Sequence, residues 1–175
     1  MLKIIAIAIL VAVVAILIYA TTKPDTFRVE RTTTIKAPPE KVFALIDDFH
    51  RWPTWSPYEK KDPDMKRTHS GATSGKGAIY EWDGDKNVGK GRMEVTESAP
   101  PSRIVIKLDF LAPFEAHNTA EFTLQAQGDS TQVTWAMYGP ANFISKLMSV
   151  FFSMDKMVGD DFAIGLANLK AAAEQ

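Results

Sequence analysis

The sequence predicts an α+β domain, in which a seven-stranded, strongly curved antiparallel sheet wraps around one long C-terminal helix. Three observations lead there. Between residues 65 and 138, six runs alternate apolar and polar side chains, separated by short clusters of turn formers. A seventh alternating run, residues 27–35, stands ahead of a short helical pattern. After Gly139-Pro140 the period becomes helical and stays so over residues 142–172. Strands joined by short turns form a meander with one buried face, and the C-terminal helix is long enough to cover it.

Taken in order, Ile4 to Ala20 is an uncharged apolar run of seventeen residues, bracketed by Lys3 and Lys23. At about 1.5 Å per residue it spans about 25 Å, and the flanking lysines bring the reach close to a hydrocarbon core of about 30 Å. Tyr19 sits where an interfacial aromatic is expected. Residues 1–23 therefore read as an N-terminal transmembrane anchor and residues 24–175 as the folded domain. The competing reading is a cleaved secretory signal. The run exceeds the usual length of about 7–15 residues, and Ile18-Tyr19-Ala20 is a poor small-residue cleavage site. Basic residues on both sides leave the orientation open.

Residues 21–26 form a polar linker. In the first strand Phe27, Val29, Arg31, Thr33 and Ile35 share a face. Pro38-Pro39 then opens a helix over 39–48, with Val42, Phe43, Leu45 and Ile46 at helical spacing. Residues 50–64 hold Trp52, Trp55 and Tyr58 among Pro53, Pro57 and Pro63, which predicts an irregular segment carrying three large aromatics. Strands are expected near 65–70, 77–83, 88–97, 102–111, 114–126 and 130–138. In the last segment Asn142 is the expected N-cap, and Ile144, Leu147, Met148, Phe151, Val158, Phe162, Leu166 and Leu169 form one stripe.

Composition excludes several chemistries. The absence of cysteine removes disulfides, thiolate metal sites and cysteine nucleophiles. Twenty basic against 21 acidic residues, without a clustered basic face, give no nucleic-acid surface. His50, His69 and His117 fall in separate elements without metal-ligand spacing, so no metal is expected. No G-x-S-x-G supports a hydrolase, and Gly71, Gly75 and Gly77 lack the strand–loop–helix setting of a dinucleotide site. No cofactor is expected.

The stretch from Ile35-Lys36-Ala37-Pro38-Pro39-Glu40 to Asp47-Asp48, followed by Trp52-Pro53-Thr54-Trp55-Ser56-Pro57, resembles the SRPBCC superfamily. These are the helix-grip domains of START lipid-transfer proteins and the birch-pollen-allergen type. Gly89-Lys90-Gly91, Pro100-Pro101-Ser102-Arg103-Ile104 and Thr131-Gln132-Val133-Thr134-Trp135 extend the likeness over about residues 27–172. More narrowly, the chain is similar to the polyketide cyclase/dehydrase and lipid-transport branch. The resemblance implies a cavity, usually apolar, between sheet and helix. It says little about chemistry, because such domains include carriers, receptors, cyclases and interaction modules.

Strand parity turns Tyr80, Trp82, Met93, Leu108 and Phe110 toward the C-terminal helix, together with Trp135 and Met137. That helix offers Met148, Phe151 and Met154 in return. These residues either fill a solid core or line a pocket. At about 100° per residue, Asp155 falls among Phe151, Val158 and Phe162, at the centre of the stripe. A carboxylate there is paired, raised in pKa, or facing a cavity, which makes Asp155 the candidate general base or ligand anchor. The alternatives are a structural hydrogen bond, or an irregularity near Gly159 that turns it outward. Asn118 is the one polar residue among Ala116, Ala120, Phe122 and Leu124, and hence a candidate partner. Trp52, Trp55 and Tyr58 form a pocket lid, rest at a membrane surface, or cap the core. Asp160 and Asp161 lie off the stripe and read as solvated.

Three functions are compatible with these residues. The first is a membrane-anchored binding domain for an apolar or amphipathic, lipid-like small molecule. The second is a cyclase or dehydrase with Asp155 as base. The third is a protein-interaction or regulatory module with a solid core.

Overall fold

The computed structural model describes residues 1–175. Helix α1 (Leu2–Thr21) is the one helix long and apolar enough to cross a membrane, by length and composition. After it come β1 (Thr26–Ile35), α2 (Pro39–Asp47), a 3-10 segment (Phe49–Thr54) and the single turn α3 (Tyr58–Lys61). Six strands follow: β2 (Lys66–Gly71), β3 (Ala78–Asp83), β4 (Lys90–Ala99), β5 (Arg103–Ala112), β6 (Ala116–Gln127) and β7 (Ser130–Pro140). Helices α4 (Phe143–Phe151) and α5 (Met154–Ala173) end the chain.

All neighbouring strands are antiparallel, in the order β1-β7-β6-β5-β4-β3-β2. Each strand from β3 to β7 buries alternate side chains, as the period-two pattern requires. Register irregularities on β4, at Lys90/Gly91 and Val95/Glu97, mark where the pairing breaks step and the sheet can bend. Gly91 lets the sheet curl tightly there, because a Cβ at that position would strike the Trp82 indole and the Asp109 carbonyl.

The apolar stripe read over 142–172 is not one helix. Phe152 is extended, and Ser153 starts a new helix by accepting a hydrogen bond from the Lys156 N–H at 3.2 Å. Asn142 caps α4 as expected, accepting from the Ser145 N–H at 2.8 Å. The two halves of the stripe then diverge. On α5, Phe162, Leu166, Leu169 and Ala173 enter the core, each large side chain contributing about 1.5–3 kcal/mol by burial. On α4 no residue is buried.

The proline-rich segment is more ordered than its composition predicts. Pro53 is accommodated because the backbone there is 3-10 rather than α. The indole of Trp52 donates to the Ile46 carbonyl and that of Trp55 to the Leu45 carbonyl, both at 2.9 Å. These are carbonyls left without intrahelical partners where α2 ends. The two tryptophans thus close a helix terminus and fill the core beneath it.

Candidate ligand pocket and its polar wall

Between the concave sheet face and α5 lies a cavity of about 600 Å³, with 15 hydrophobic side chains among its 20 lining residues. It opens at one end of the sheet, where Lys61, Asn87 and Met157 are the exposed members of the wall. Its floor is made of side chains that strand parity turns toward the C-terminal helix. Tyr80, Trp82, Met93, Leu108 and Phe110 line it, as do Trp135 and Met137.

Four other candidates lie elsewhere. Trp55 is fully buried behind the wall, stacked edge-on against Phe122 and Trp135. Asn118 is buried opposite Leu108 but does not reach the cavity; its amide occupies space left by the missing side chain of Gly139. Phe151 is exposed on α4. Asp155 is the main correction. The chain break at Phe152-Ser153 puts it in the first turn of α5, facing outward, with its side chain 64% exposed. Its partner is Arg31, not Asn118. Hydrogen bonds from that guanidinium hold the Asp155 carboxyl below the usual carboxylate range, the opposite of a raised pocket base.

The carboxylate on the cavity wall is Glu59, on α3, with its side chain 6% exposed. Tyr80 donates its hydroxyl to Glu59 Oε1 at 2.6 Å, and Arg67 donates Nε–H to Oε2 at 2.6 Å. Arg67 also donates to the Met65 carbonyl at 2.6 Å and the Glu59 carbonyl at 3.3 Å, so one guanidinium pins the whole turn against β2. Burial, reinforced by the Glu59 hydrogen bond, pushes the Tyr80 phenol well above its ordinary pKa and keeps it a donor. Burial and the nearby Asp161 do the same to Tyr58, on the same wall. Asp161 is not solvated: at the mouth it accepts from Lys61 Nζ at 2.6 Å.

Nothing in the sequence pattern marks Glu59. Glu59-Lys60-Lys61-Asp62 reads as a solvated charge run, and an irregular segment has no period from which to infer a facing. The structure also brings together two histidines that the sequence separates. His50 and His69 stack with ring centroids 4.2 Å apart, His69 lying 5.0 Å from the Tyr80 ring. No group of three or more His, Asp or Glu side chains is assembled in a way that would hold a metal ion.

This architecture, with its apolar cavity under a C-terminal helix, agrees with the sequence comparison. Residues 26–174 match the family described as polyketide cyclase / dehydrase and lipid transport. The chain belongs to this family. No functionally curated protein matches it in sequence. Among solved structures, a protein from Chromobacterium violaceum is similar over 87% of this chain and 99% of its own, at 18% identity and a TM-score of 0.60. The Aha1 dimer protein from Colwellia psychrerythraea is similar at 17% identity and TM-score 0.58, covering 85% and 96%. The di-domain ARO/CYC BexL of the BE-7585A biosynthetic pathway gives 17% and 0.64. There the match covers 90% of this chain and 53% of that one, so this chain spans about half its length. At such identities the likeness to these structures is one of fold, and the chemistry of each protein rests on its own pocket.

Proposed function

We propose that this protein is a membrane-anchored binding domain for an apolar or amphipathic small molecule, held between the sheet and α5. The observation that carries the proposal is the cavity itself. Its volume of about 600 Å³ lies within the range of about 300–1,000 Å³ typical of small-molecule sites, and its lining is largely apolar with a few polar side chains, among them Glu59, Lys61, Asn87 and Asp161. The apolar floor supplies affinity. Glu59, Tyr80 and the Lys61–Asp161 pair give a polar end of the ligand something to orient against. A cavity of this size argues against an interaction module with a solid core. Helix α1 would hold the mouth near the bilayer from which such a ligand comes.

The second reading, a cyclase or dehydrase, is favoured by one specific contact. Tyr80 and Glu59 form a donor–carboxylate pair on the cavity wall, the kind of arrangement that can position a proton against a bound carbonyl compound. Glu59, rather than the outward-facing Asp155, is then the candidate base.

The core cluster lies wholly between Val29 and Ala173 and the cavity lining between Trp52 and Phe162, so residues 24–175 hold both. Native mass spectrometry of that segment, purified without detergent, is expected to show a bound species of defined mass that organic solvent extracts. A ligand-free mass, together with unchanged tryptophan fluorescence on adding fatty acids, sterols or quinones, overturns the binding reading.

A further inference from the structure

We propose that α4 and the β5–β6 turn form a membrane-docking surface that presses the cavity mouth onto a lipid bilayer. This extends the membrane-anchored reading above and rests on it.

Helix α4 is amphipathic with its apolar face outward. At about 100° per residue, Phe143, Leu147, Phe151, Ile144 and Met148 fall within an arc of about 140°, while Ser145, Lys146 and Ser149 take the other side. Phe143, Ile144, Met148 and Phe151 are all exposed, Phe151 by 60%, and Phe152 and Met157 continue the patch into α5. Across the mouth, the end of β5 exposes Leu111 and the β5–β6 turn exposes Phe114, the latter by 72%. Monomeric soluble proteins rarely leave so many large apolar side chains together in water.

Sheet topology decides what covers them. Thr26 pairs with Pro140, Lys90 with Ala112, and Lys66 with Asp83, so the start of β1, the end of β7, and the β3–β4 and β5–β6 turns share one end of the sheet. The cavity opens at that end, between Lys61, Asn87 and Met157. So does the exit of α1. Between Thr21, the last residue of α1, and Thr26, the first of β1, five peptide steps reach about 16–18 Å at full extension. A bilayer crossed by α1 therefore faces this end and no other. Helix α1 also packs against α4, with Ile16 and Ala20, one turn apart, losing exposure. The apolar face of α4 thus continues the apolar surface of α1 into the interfacial layer, where amphipathic helices lie about 5–10 Å deep. A lipid-like ligand then enters the cavity without crossing water.

The absence of native cysteine permits single nitroxide labels on the full chain. It would be reconstituted into phosphatidylcholine vesicles as Phe114→Cys, Met148→Cys, Gln127→Cys at the far end of the sheet, or Val11→Cys within α1. Collision rates with oxygen, which concentrates in hydrocarbon, are compared with those of a water-soluble nickel chelate. The expected result is a higher oxygen-to-nickel ratio at positions 114 and 148 than at 127. If 114 and 148 match 127 while Val11→Cys reports hydrocarbon, the docking surface is overturned and the anchor stands. If 114 and 148 are shielded from both reagents, a protein contact covers them and the proposal fails. If Val11→Cys reports water, anchor and docking surface fall together, and ligand binding is judged by the extraction experiment alone.

Discussion

Arg31 on β1 holds Asp155 on α5 with both arms of its guanidinium. Nη1 donates to Oδ1 at 2.9 Å, and Nη2 donates to Oδ2 at 3.1 Å and to the Asp155 backbone carbonyl at 3.0 Å. The pair fastens the first turn of α5 to the edge strand of the sheet. Gly159, one turn further along α5, makes room, since a Cβ there would overlap the guanidinium.

Asp155→Asn is therefore expected to leave ligand binding unchanged. Hydrogen bonding to Arg31 lowers the folded-state pKa below the ordinary 3.8, so the pair's contribution is present above that value and is lost as pH falls through the lower folded one. Thermal melts of wild type and Asp155→Asn should differ slightly at neutral pH and low salt, and converge at acid pH or in high salt, which screens an exposed pair. A large loss of bound ligand in Asp155→Asn, with the melt unchanged, would return Asp155 to the pocket.

Glu59 carries the opposite expectation. Glu59→Gln removes the carboxylate from a partly buried guanidinium and a buried phenol, at a cost of about 2–3 kcal/mol. Tyr80→Phe removes one hydrogen bond, at about 1 kcal/mol, and keeps the ring on the cavity wall. Both are measured by denaturant unfolding, and co-purified ligand is weighed in each. Loss of a bound species in Tyr80→Phe, whose fold is little disturbed, assigns the phenol to ligand contact. Retention of full binding in both variants would remove this wall from the site.

The contrast between Asp155 and Glu59 shows which parts of the site were legible. Period-two alternation fixes which face a strand side chain takes, so the sequence turns Tyr80, Trp82 and Met93 toward the C-terminal helix, while parity alone leaves open whether such residues fill a core or line a cavity. Helical periodicity carries the same information only while the helix is unbroken. Ser153 restarts the helix, and the stripe that runs through Asp155 on paper belongs to two axes. Glu59 lies on a single turn between prolines, where no period exists, and its facing comes from Arg67 and Tyr80, contacts distant in sequence. The break also hid the outward face of α4, because a continuous stripe would have been buried along its whole length.

The histidines give pH dependence of two signs. Burial, then the neighbouring His50, lowers His69 below its ordinary 6.5, so the fold favours the neutral ring. Its contribution is complete above 6.5 and is lost as pH falls through the lower folded value. The Asp109 carboxylate, which hydrogen-bonds His117 Nδ1 at 2.7 Å, raises that residue above 6.5. Its contribution is complete below 6.5 and is lost as pH rises through the higher folded value. Urea unfolding from pH 5 to 8 should show His69→Gln losing less stability than wild type on the acid side, and His117→Gln losing less on the alkaline side. Parallel pH profiles for all three proteins would contradict both assignments.

Gly165 tests how rigid the back of the pocket is. It sits where α5 crosses Trp135 and Pro57, and an added Cβ would lie 2.6 Å from Trp135 Cζ3 and 3.0 Å from Pro57 Cδ. Alanine improves helix propensity by about 1 kcal/mol over glycine, so Gly165→Ala is stabilising only if the clash is relieved cheaply. Relief is obstructed on both sides. The Trp135 ring stacks on Phe162 at 4.0 Å and meets Trp55 edge-on, while Pro57 follows the segment anchored by the two indole hydrogen bonds. Overpacking of this kind costs about 1–3 kcal/mol, which exceeds the propensity gain over most of that range. Denaturant unfolding of Gly165→Ala is expected to show net destabilisation, with a shifted tryptophan emission as Trp135 moves. A more stable variant with unchanged emission would mean that α5 lifts freely from the sheet and that the cavity wall is compliant there.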